Sequence, residues 1–414
     1  MTLPATIKVA FDFSSGPVFG LPLTLGDPEN GILGVNVLAA SAALVVDLTD
    51  STTSIKINRG RDLIQDQFNA GTCTVRVLDE TGAWNPQNTS SPFYGLLQPL
   101  RKIRISAEYN GTLHYLFSGY TSEYRYTFPQ NEEIAYVDII ASDAFNLFNK
   151  SAVTTVSGAS AGDASGTRVN QILDEIGFPT GQRSIDTGDS MMQNDPGTLR
   201  SVLSALKDVE FSEFGGLYMS AGGDVIFRER TDAYETIAGT PTVFDQGANI
   251  NYAGLRLAFD DKLVFNVANF KRIGGSMVQV IDQPSIDTYF PHTITKENLL
   301  NQTDAEVGSL ARAYIASRAK TDIRIDAITL DLLTPNYDAG VTAALTLDFF
   351  SPVQIINTQP GGSTITKTLQ VFGVQHDITP NSWFTTFTTS EPLIDGFILG
   401  SSVAGILGTS VLAY

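Results

Sequence analysis

The chain has 414 residues, 43% of them apolar and 17% charged, which suits two or three globular domains with ample core. Its formal net charge of −18 and the lack of any Lys/Arg run exclude the basic surface that nucleic-acid binders need. Cys73 is the only cysteine, so no intramolecular disulfide and no cysteine-based zinc site is possible, and its Thr-Cys-Thr-Val-Arg-Val setting predicts a buried structural thiol in a strand.

The N-terminus, MTLPATIKVAFDF, lacks the basic region and apolar core of a signal peptide. Ile7 to Phe13 alternates as a strand does. The uncharged stretch Gly31 to Val46 is short and partly Ala, Ser and Gly. Ser54 to Gly60, Gly71 to Leu78 and Ile103 to Tyr109 alternate, and Asn110-Gly111 turns the last of these into Leu113 to Phe117. Tyr120 to Phe128 and Glu133 to Ile140 form a further pair, closed by a polar helix or turn over Ser142 to Phe148. Strands this short and this regularly punctuated indicate a barrel or sandwich.

A small, polar stretch, Ser157 to Gly166, marks a change of composition and predicts a linker or loop. Two helices follow. The first, over Thr167 to Phe178, has Val169, Ile172, Leu173 and Ile176 on one face and is stopped by Gly177. The second is expected to be capped by Asp195 with Pro196 in its first turn, and to carry an apolar stripe of Leu199, Val202, Leu203, Leu206 and Val209. Gly216 to Ser220 and Asp224 to Arg230 read as a hairpin. Beyond residue 240 the β pattern returns, with Leu263 to Phe270, Ile323 to Leu332, Ala344 to Phe349, Val353 to Ile356, Lys367 to His376 and Trp383 to Thr388. One helix interrupts it, announced by the capping box Thr303-Asp304-Ala305-Glu306. The final stretch, Phe397 to Tyr414, is uncharged over 18 residues but broken by Gly, Ser and Thr, and Asp395 precedes it in place of a basic anchor. It is expected to be an extended arm that docks on protein, without stable membrane insertion.

The chain shows little chemistry. His114, His292 and His376 lie in or beside strands, none with a second histidine at metal-ligand spacing. His376 and Asp377 are adjacent in a strand and so point to opposite faces. Asp186-Thr187-Gly188 matches the short aspartic-protease signature, but no second copy exists to share its proton, and its flanks are polar. The acidic loop from Asp186 to Asp195 lacks the spacing of a calcium-binding hand. No nucleophile elbow, phosphate loop or dinucleotide fingerprint occurs. Catalytic residues, cofactors and metal ligands are therefore expected to be absent. The unusual residues are spent on aromatics in Gly/Pro/Asn-rich loops, as in proteins built for contact with other chains. The longest such loop, between strands ending near Leu78 and starting at Arg101, carries Trp84, Phe93, Tyr94 and Leu96. Trp84 is expected to cover the edge of a barrel, and Phe93, Tyr94 and Leu96 to plug its open end.

At this point the residues resemble a family. Asn58-Arg59-Gly60-Arg61, Ala70-Gly71-Thr72, Leu78-Asp79, Gly82-Ala83-Trp84-Asn85-Pro86, Ser90-Ser91-Pro92-Phe93-Tyr94-Gly95 and Pro99 look like the N-terminal barrel of phage minor tail proteins of the tail-hub type. Phe117-Ser118-Gly119, Ser142-Asp143-Ala144, Gly215 to Tyr218, Gly223 to Arg230, Trp383 to Ser390 and Phe397 to Tyr414 continue the likeness in order. The resemblance implies a mainly β chain with an α+β insert: two β-barrel domains, over 1–152 and 238–392, flanking a small α/β module over 153–237. The second barrel carries one helix at about 303–319, and a docking arm covers 393–414. Such hubs are similar to the baseplate hub of contractile phages and the base of type VI secretion spikes. Three copies make a ring of pseudo-sixfold symmetry at the virion tail tip. The ring joins the sixfold tail tube or distal tail ring to threefold tip or fibre proteins, contacts the tape-measure protein, and lets DNA pass without binding it. For the interface the reading selects Trp84, Phe93, Tyr94 and Leu96 in the loop, and Phe397, Leu399, Ile406, Leu407, Leu412 and Tyr414 in the arm. The alternatives are a hexameric distal tail ring, a tail-associated wall hydrolase or glycosidase, and a glycan-binding module that would display Trp84 or Trp383.

Overall fold

The computed structural model describes residues 3–14, 19, 45–64, 66–127, 135–247, 249–333 and 337–392. The docking arm, with Phe397, Leu399, Ile406, Leu407, Leu412 and Tyr414, and all but the end of the stretch from Gly31 lie outside them.

The first β region contains β1 (Thr6–Asp12), β2 (Thr52–Asp62), β3 (Thr72–Leu78), β4 (Lys102–Tyr109), β5 (Thr112–Thr127) and β6 (Tyr136–Ser142). Period-two alternation buries one face of each. Val9 and Phe11, Cys73, Val75 and Val77, Ile103 and Ile105, and Val137 and Ile139 meet in one core. On β2 the inward parity of Ile55 and Ile57 continues through Gly60 into Arg59 and Arg61, both buried. The strand therefore runs past the glycine at which the sequence pattern stops. The tight β4–β5 hairpin uses Asn110 and Gly111, at φ 51° and 76°, the left-handed values that an Asn-Gly turn supplies.

The middle module holds α1 (Phe145–Lys150), α2 (Ser165–Glu175) and α3 (Val202–Glu213), with the hairpin β7 (Gly216–Met219) and β8 (Val225–Arg228). Asp195 does not cap α3. It accepts from Gly197 N and pairs with Arg200, while Ser201 caps the helix by accepting from Ser204 N. The helix thus starts later than expected, and Leu199, outside it, is 75% exposed. Val202, Leu206 and Val209 are buried, and Leu203 packs against the core.

The second β region contains β9 (Thr242–Asp245), β10 (Gly254–Ala258), β11 (Arg324–Asp331), β12 (Pro352–Thr358), β13 (Thr364–Thr379) and β14 (Ser382–Ser390). Between β10 and β11 an insertion packs α4 (Asp304–Arg318) on a three-stranded sheet of Val278–Ile281, Val267–Arg272 and Thr293–Leu299. The capping box forms as read: Thr303 accepts from Glu306 N, and the Glu306 carboxylate accepts from Thr303 N. The segment expected as a strand from Ala344 starts instead in α5 (Tyr337–Thr346). Its Ala-Ala-Leu core favours helix, and a short apolar run does not distinguish the two.

Two separate barrels were expected. Among the described residues the ladders do not close, and both regions join one 15-stranded sheet. The junction is β2 against β13, antiparallel from Gly60 opposite Gly373 to Ile55 opposite Ile378. The two glycines permit the approach, since a Cβ on Gly60 would lie 3.0 Å from the Cα of Gly373.

Within that sheet the same arrangement occurs twice. The first region has the strand order β2-β3-β6-β5-β4-β1, and the second has β10-β11-β14-β13-β12-β9. Each strand has its counterpart eight labels on. Both long strands carry a bulge against their next neighbour, at Thr121/Glu123 in β5 and at Val371/Gly373 in β13. At both corners a non-glycine residue sits in the left-handed region, Leu100 at φ 63° and Phe350 at φ 65°. Leu100 N donates to Thr121 O at 2.7 Å, and Phe350 N donates to Val371 O at 2.8 Å. The first strand differs in direction: β1 runs antiparallel to β4, whereas β9 runs parallel to β12.

Candidate functional site

The loop between β3 and β4 is built from consecutive tight turns. Amide-to-carbonyl bonds three residues apart run from Gly82 to Asp79, Asn85 to Gly82, Asn88 to Asn85, Ser91 to Asn88 and Tyr94 to Ser91. Asp79, buried at the end of β3, accepts from Ala83 N at 2.6 Å and Trp84 N at 3.1 Å. Asn88 Nδ2 donates to Gly82 O at 2.9 Å, and Ser91 Oγ donates to Ala83 O. The Asp, Asn and Ser side chains thereby satisfy the loop's own amides, as their turn preference requires.

This frame aims the aromatics. Trp84 is 2% exposed and meets Phe11 edge-on at 5.5 Å, Phe93 at 5.1 Å and Tyr124 at 6.2 Å. Phe93 stacks on Phe13 at 5.0 Å. Burial pushes the Tyr124 hydroxyl pKa upward, and that hydroxyl donates to Gln98 O at 2.9 Å. Trp84 and Phe93 therefore cap the first core as expected. Leu96 packs against the core from a half-buried position. Tyr94 does not plug anything: it is 53% exposed and stands at the rim with Leu100, 40% exposed.

The Asn58-Arg59-Gly60-Arg61 motif lies where the two β regions and the module meet. Arg59 donates to Met219 O at 3.0 Å and to Asp348 at 3.2 Å, and its guanidinium lies 4.8 Å over the Phe349 ring. Arg61 donates to Asp66 O at 2.7 Å and sits between the rings of Phe68 and Phe372. Asp66 accepts in turn from Tyr314 Oη and Arg318, both at 2.7 Å, which ties α4 to β2. These charges are paired with one another, although Arg61 Nε and Arg318 Nε find no hydrogen-bond partner among the described residues, and they join the parts of the chain.

The chemical motifs are used structurally. Asp186 accepts from Arg228 and from Glu229 N. Gly188, at φ 94°, lies against Ser165 so closely that a Cβ there would meet Ser165 Oγ at 1.8 Å. Glu213, fully buried, accepts from Ser165 Oγ, Ser190 N, Asp189 N and Arg230 N. Among the described residues no three His, Cys, Asp or Glu side chains are grouped to hold a metal ion, and no helix is long and apolar enough to cross a membrane. Cys73 is fully buried and its thiol pKa is pushed up by burial. Trp84 and Trp383 are both buried, so neither forms a glycan platform.

No protein-family model matches the sequence, and no curated protein matches it. Solved structures do. The 43 kDa tail protein of prophage MuSo2 from Shewanella oneidensis superimposes with a TM-score of 0.54 at 12% identity, over 84% of this chain and 95% of that one. The tail protein from Neisseria meningitidis MC58 superimposes with a TM-score of 0.53 at 10% identity, over 83% and 97%. The chain has the fold of these two tail proteins. A looser likeness, at a TM-score of 0.48 and 10% identity, covers 93% of this chain and 95% of prophage tail protein gp18 from Listeria monocytogenes.

An unpaired sheet edge is a surface open to pairing with another chain. Sequence reasoning found the loop but missed two features that bear on this. Phe259, just past β10, is 72% exposed, and β10 has a strand on one edge only among the described residues. The signal available in the sequence was Phe259 standing beside Asp260, Asp261 and Lys262, an aromatic among charges at a strand end.

Proposed function

We propose that the chain is a structural, non-enzymatic component of a phage tail: a hub at the distal end, assembled as a homotrimeric ring. The observation that carries this reading is the sheet repeated within one chain that has a tail-protein fold. Three copies of a duplicated subunit present six equivalent lobes on one side and three unique modules on the other. Such a ring joins a sixfold tube or distal tail ring to threefold tip or fibre proteins. In this assembly the two β regions are its barrel-like lobes, and the middle module and the helical insertion are its threefold decorations. The tape-measure protein and the ejected DNA share the bore, and an acidic chain with a net charge of −18 repels phosphate along it. The rim residues of the loop, Tyr94 first, and the arm from Phe397 to Tyr414 make contacts between subunits or to neighbouring tail proteins.

Native mass spectrometry combined with negative-stain imaging of the purified chain tests this. A trimer with a central hole is expected. A hexameric ring replaces the hub by a distal tail ring, and a monomer at all concentrations removes the ring.

A further inference from the structure

The internal repeat carries an inference about how copies meet, which rests on the ring reading above. Inside the chain the two lobes are joined by one edge of β13 and the outer edge of β2. The counterparts of these two edges are the same edge of β5, beyond its bulge, and the outer edge of β10. Neither has a strand partner among the described residues. We propose that β5 of one copy pairs antiparallel with β10 of the next, repeating between chains the junction that β13 and β2 make within one.

The repeat fixes the register. Tyr120 in β5 and Gln370 in β13 each stand opposite two strands at the corner, so β5 maps on β13 by adding 250 to its residue numbers. Val75 and Ile328 hold equivalent places, opposite Ile139 and Phe387, and they pair with Ile55 and Leu255, so β2 maps on β10 by adding 200. Within the chain Gln375 faces Asn58, Asp377 faces Lys56 and Val374 faces Arg59. Between copies Arg125 then faces Ala258, Thr127 faces Arg256 and Tyr124 faces Phe259. The inward and outward parity agrees, because Asn58, Gln375 and Arg125 are all exposed outward, and Leu255 and Leu257 lean inward as Ile55 and Ile57 do.

The pairing also explains two bare apolar residues. Arg59, the counterpart of Phe259, is covered by Phe349 at the corner that leads into Phe350. The matching corner of the first lobe is Pro99-Leu100, and it is uncovered: Leu100 is 40% exposed, while Phe350 is 3% exposed. Seated as Arg59 is, Phe259 of the neighbouring copy lies on Pro99 and Leu100 beside Tyr124, with Tyr94 at the rim. The ladder stops before Glu123 would face Asp260, and each of these carboxylates already has an arginine, Arg125 at 3.2 Å and Arg324 at 2.9 Å. A contact of this kind is heterologous and closes only as a ring.

The test is cysteine cross-linking of the full-length chain carrying Arg125→Cys with Ala258→Cys. Directly opposed strand residues have Cα atoms about 4.5 to 5.5 Å apart, within disulfide range. Under mild oxidation the chain is expected to move into reductant-sensitive species of two and three chains, with none larger. Thr127→Cys with Arg256→Cys gives the same result, and Arg125→Cys with Leu255→Cys, out of register, does not. Asn58→Cys with Gln375→Cys is the intrachain control. A trimer in native mass spectrometry with neither in-register pair cross-linking overturns the pairing and leaves the ring. Cross-linked chains that grow beyond three keep the pairing and overturn the trimer. A chain that stays monomeric and uncrosslinked at every concentration overturns both.

Discussion

Trp84 and Tyr94 sit ten residues apart in one loop and are expected to fail in opposite ways. Trp84 is 2% exposed and touches Phe11, Phe13, Phe93 and Tyr124, so Trp84→Ala removes the centre of an aromatic cluster and leaves a cavity under a loop whose turns are already fixed. A buried tryptophan truncated to alanine costs about 3–5 kcal/mol, a shift of roughly 150- to 5,000-fold in a local opening equilibrium. Tyr94, 53% exposed with no ring partner among the described residues, contributes within about 0.5 kcal/mol to the isolated chain. Hydrogen exchange over residues 79–101 reads the first effect, and denaturant unfolding followed by the fluorescence of the buried Trp383 reads its spread to the other lobe. Native mass spectrometry reads the second: Tyr94→Ala is expected to weaken assembly while exchange in the loop stays unchanged. If Trp84→Ala leaves loop protection within tenfold of wild type, the aromatic cluster is not what holds the loop. If Tyr94→Ala unprotects the loop as strongly, the division between anchor and contact residue is wrong.

Further outcomes are expected. Asp66→Ala strands Arg318 in a buried site and loses the Tyr314 bond, costing about 3–5 kcal/mol in chemical denaturation; a loss under 1 kcal/mol would show that Arg318 finds water. His376 is held neutral by burial, its pKa pushed down to about 3, and its Nδ1 accepts from Trp383 Nε1. Its folded-state pKa lies below the unfolded value near 6.5, so its contribution is complete above that pH and is lost as pH falls toward 3, on the order of 5 kcal/mol in all. His376→Asn is expected to flatten that limb of a stability–pH profile, and an unchanged slope would assign the limb to other groups. Gly60→Val forces β2 and β13 apart and is expected to cost about 1–3 kcal/mol, seen as faster amide exchange in both strands and not in β4. Thr303→Ala removes half of the capping box and is expected to cost about 1 kcal/mol, read from exchange in the first turn of α4.

Much of the fold was legible because alternation and turn chemistry are local. The strands around Val75, Ile105 and Ile139, the Asn110-Gly111 hairpin and the Thr303 capping box all follow from residues within a few positions of one another. What escaped was set by distant partners. The run from Ala344 is apolar enough for either strand or helix. Asp195 was outbid as a cap because Arg200 claims it and Ser201 stands nearer the helix. The duplication left no trace as identity because equivalent places hold different residues: Arg59 against Phe259, Tyr120 against Gln370, Leu100 against Phe350. In each pair the backbone role is kept while the surroundings differ, one member facing the chain's own interior and the other facing outward or a different neighbour. The loop was found as a candidate contact by its aromatics, yet only the fold separates buried Trp84 from exposed Tyr94.

The β2–β13 junction also bears on how the molecule comes into being. Gly60 and Gly373 are partners, so β2 leaves the ribosome long before the strand that covers its outer edge. At about 5–20 residues per second that interval is on the order of 15 to 60 s. Through it the nascent chain carries an open strand edge with an inward row of Ile55, Ile57, Arg59 and Arg61. The two arginines in that row are charges placed on the core side of an unfinished sheet, where they oppose premature edge-to-edge association between nascent chains. Once Gly373 arrives, the same two side chains become the buried links to Phe349, Asp348 and Asp66. Guarding the edge during synthesis and locking it afterwards are thus done by the same pair of residues.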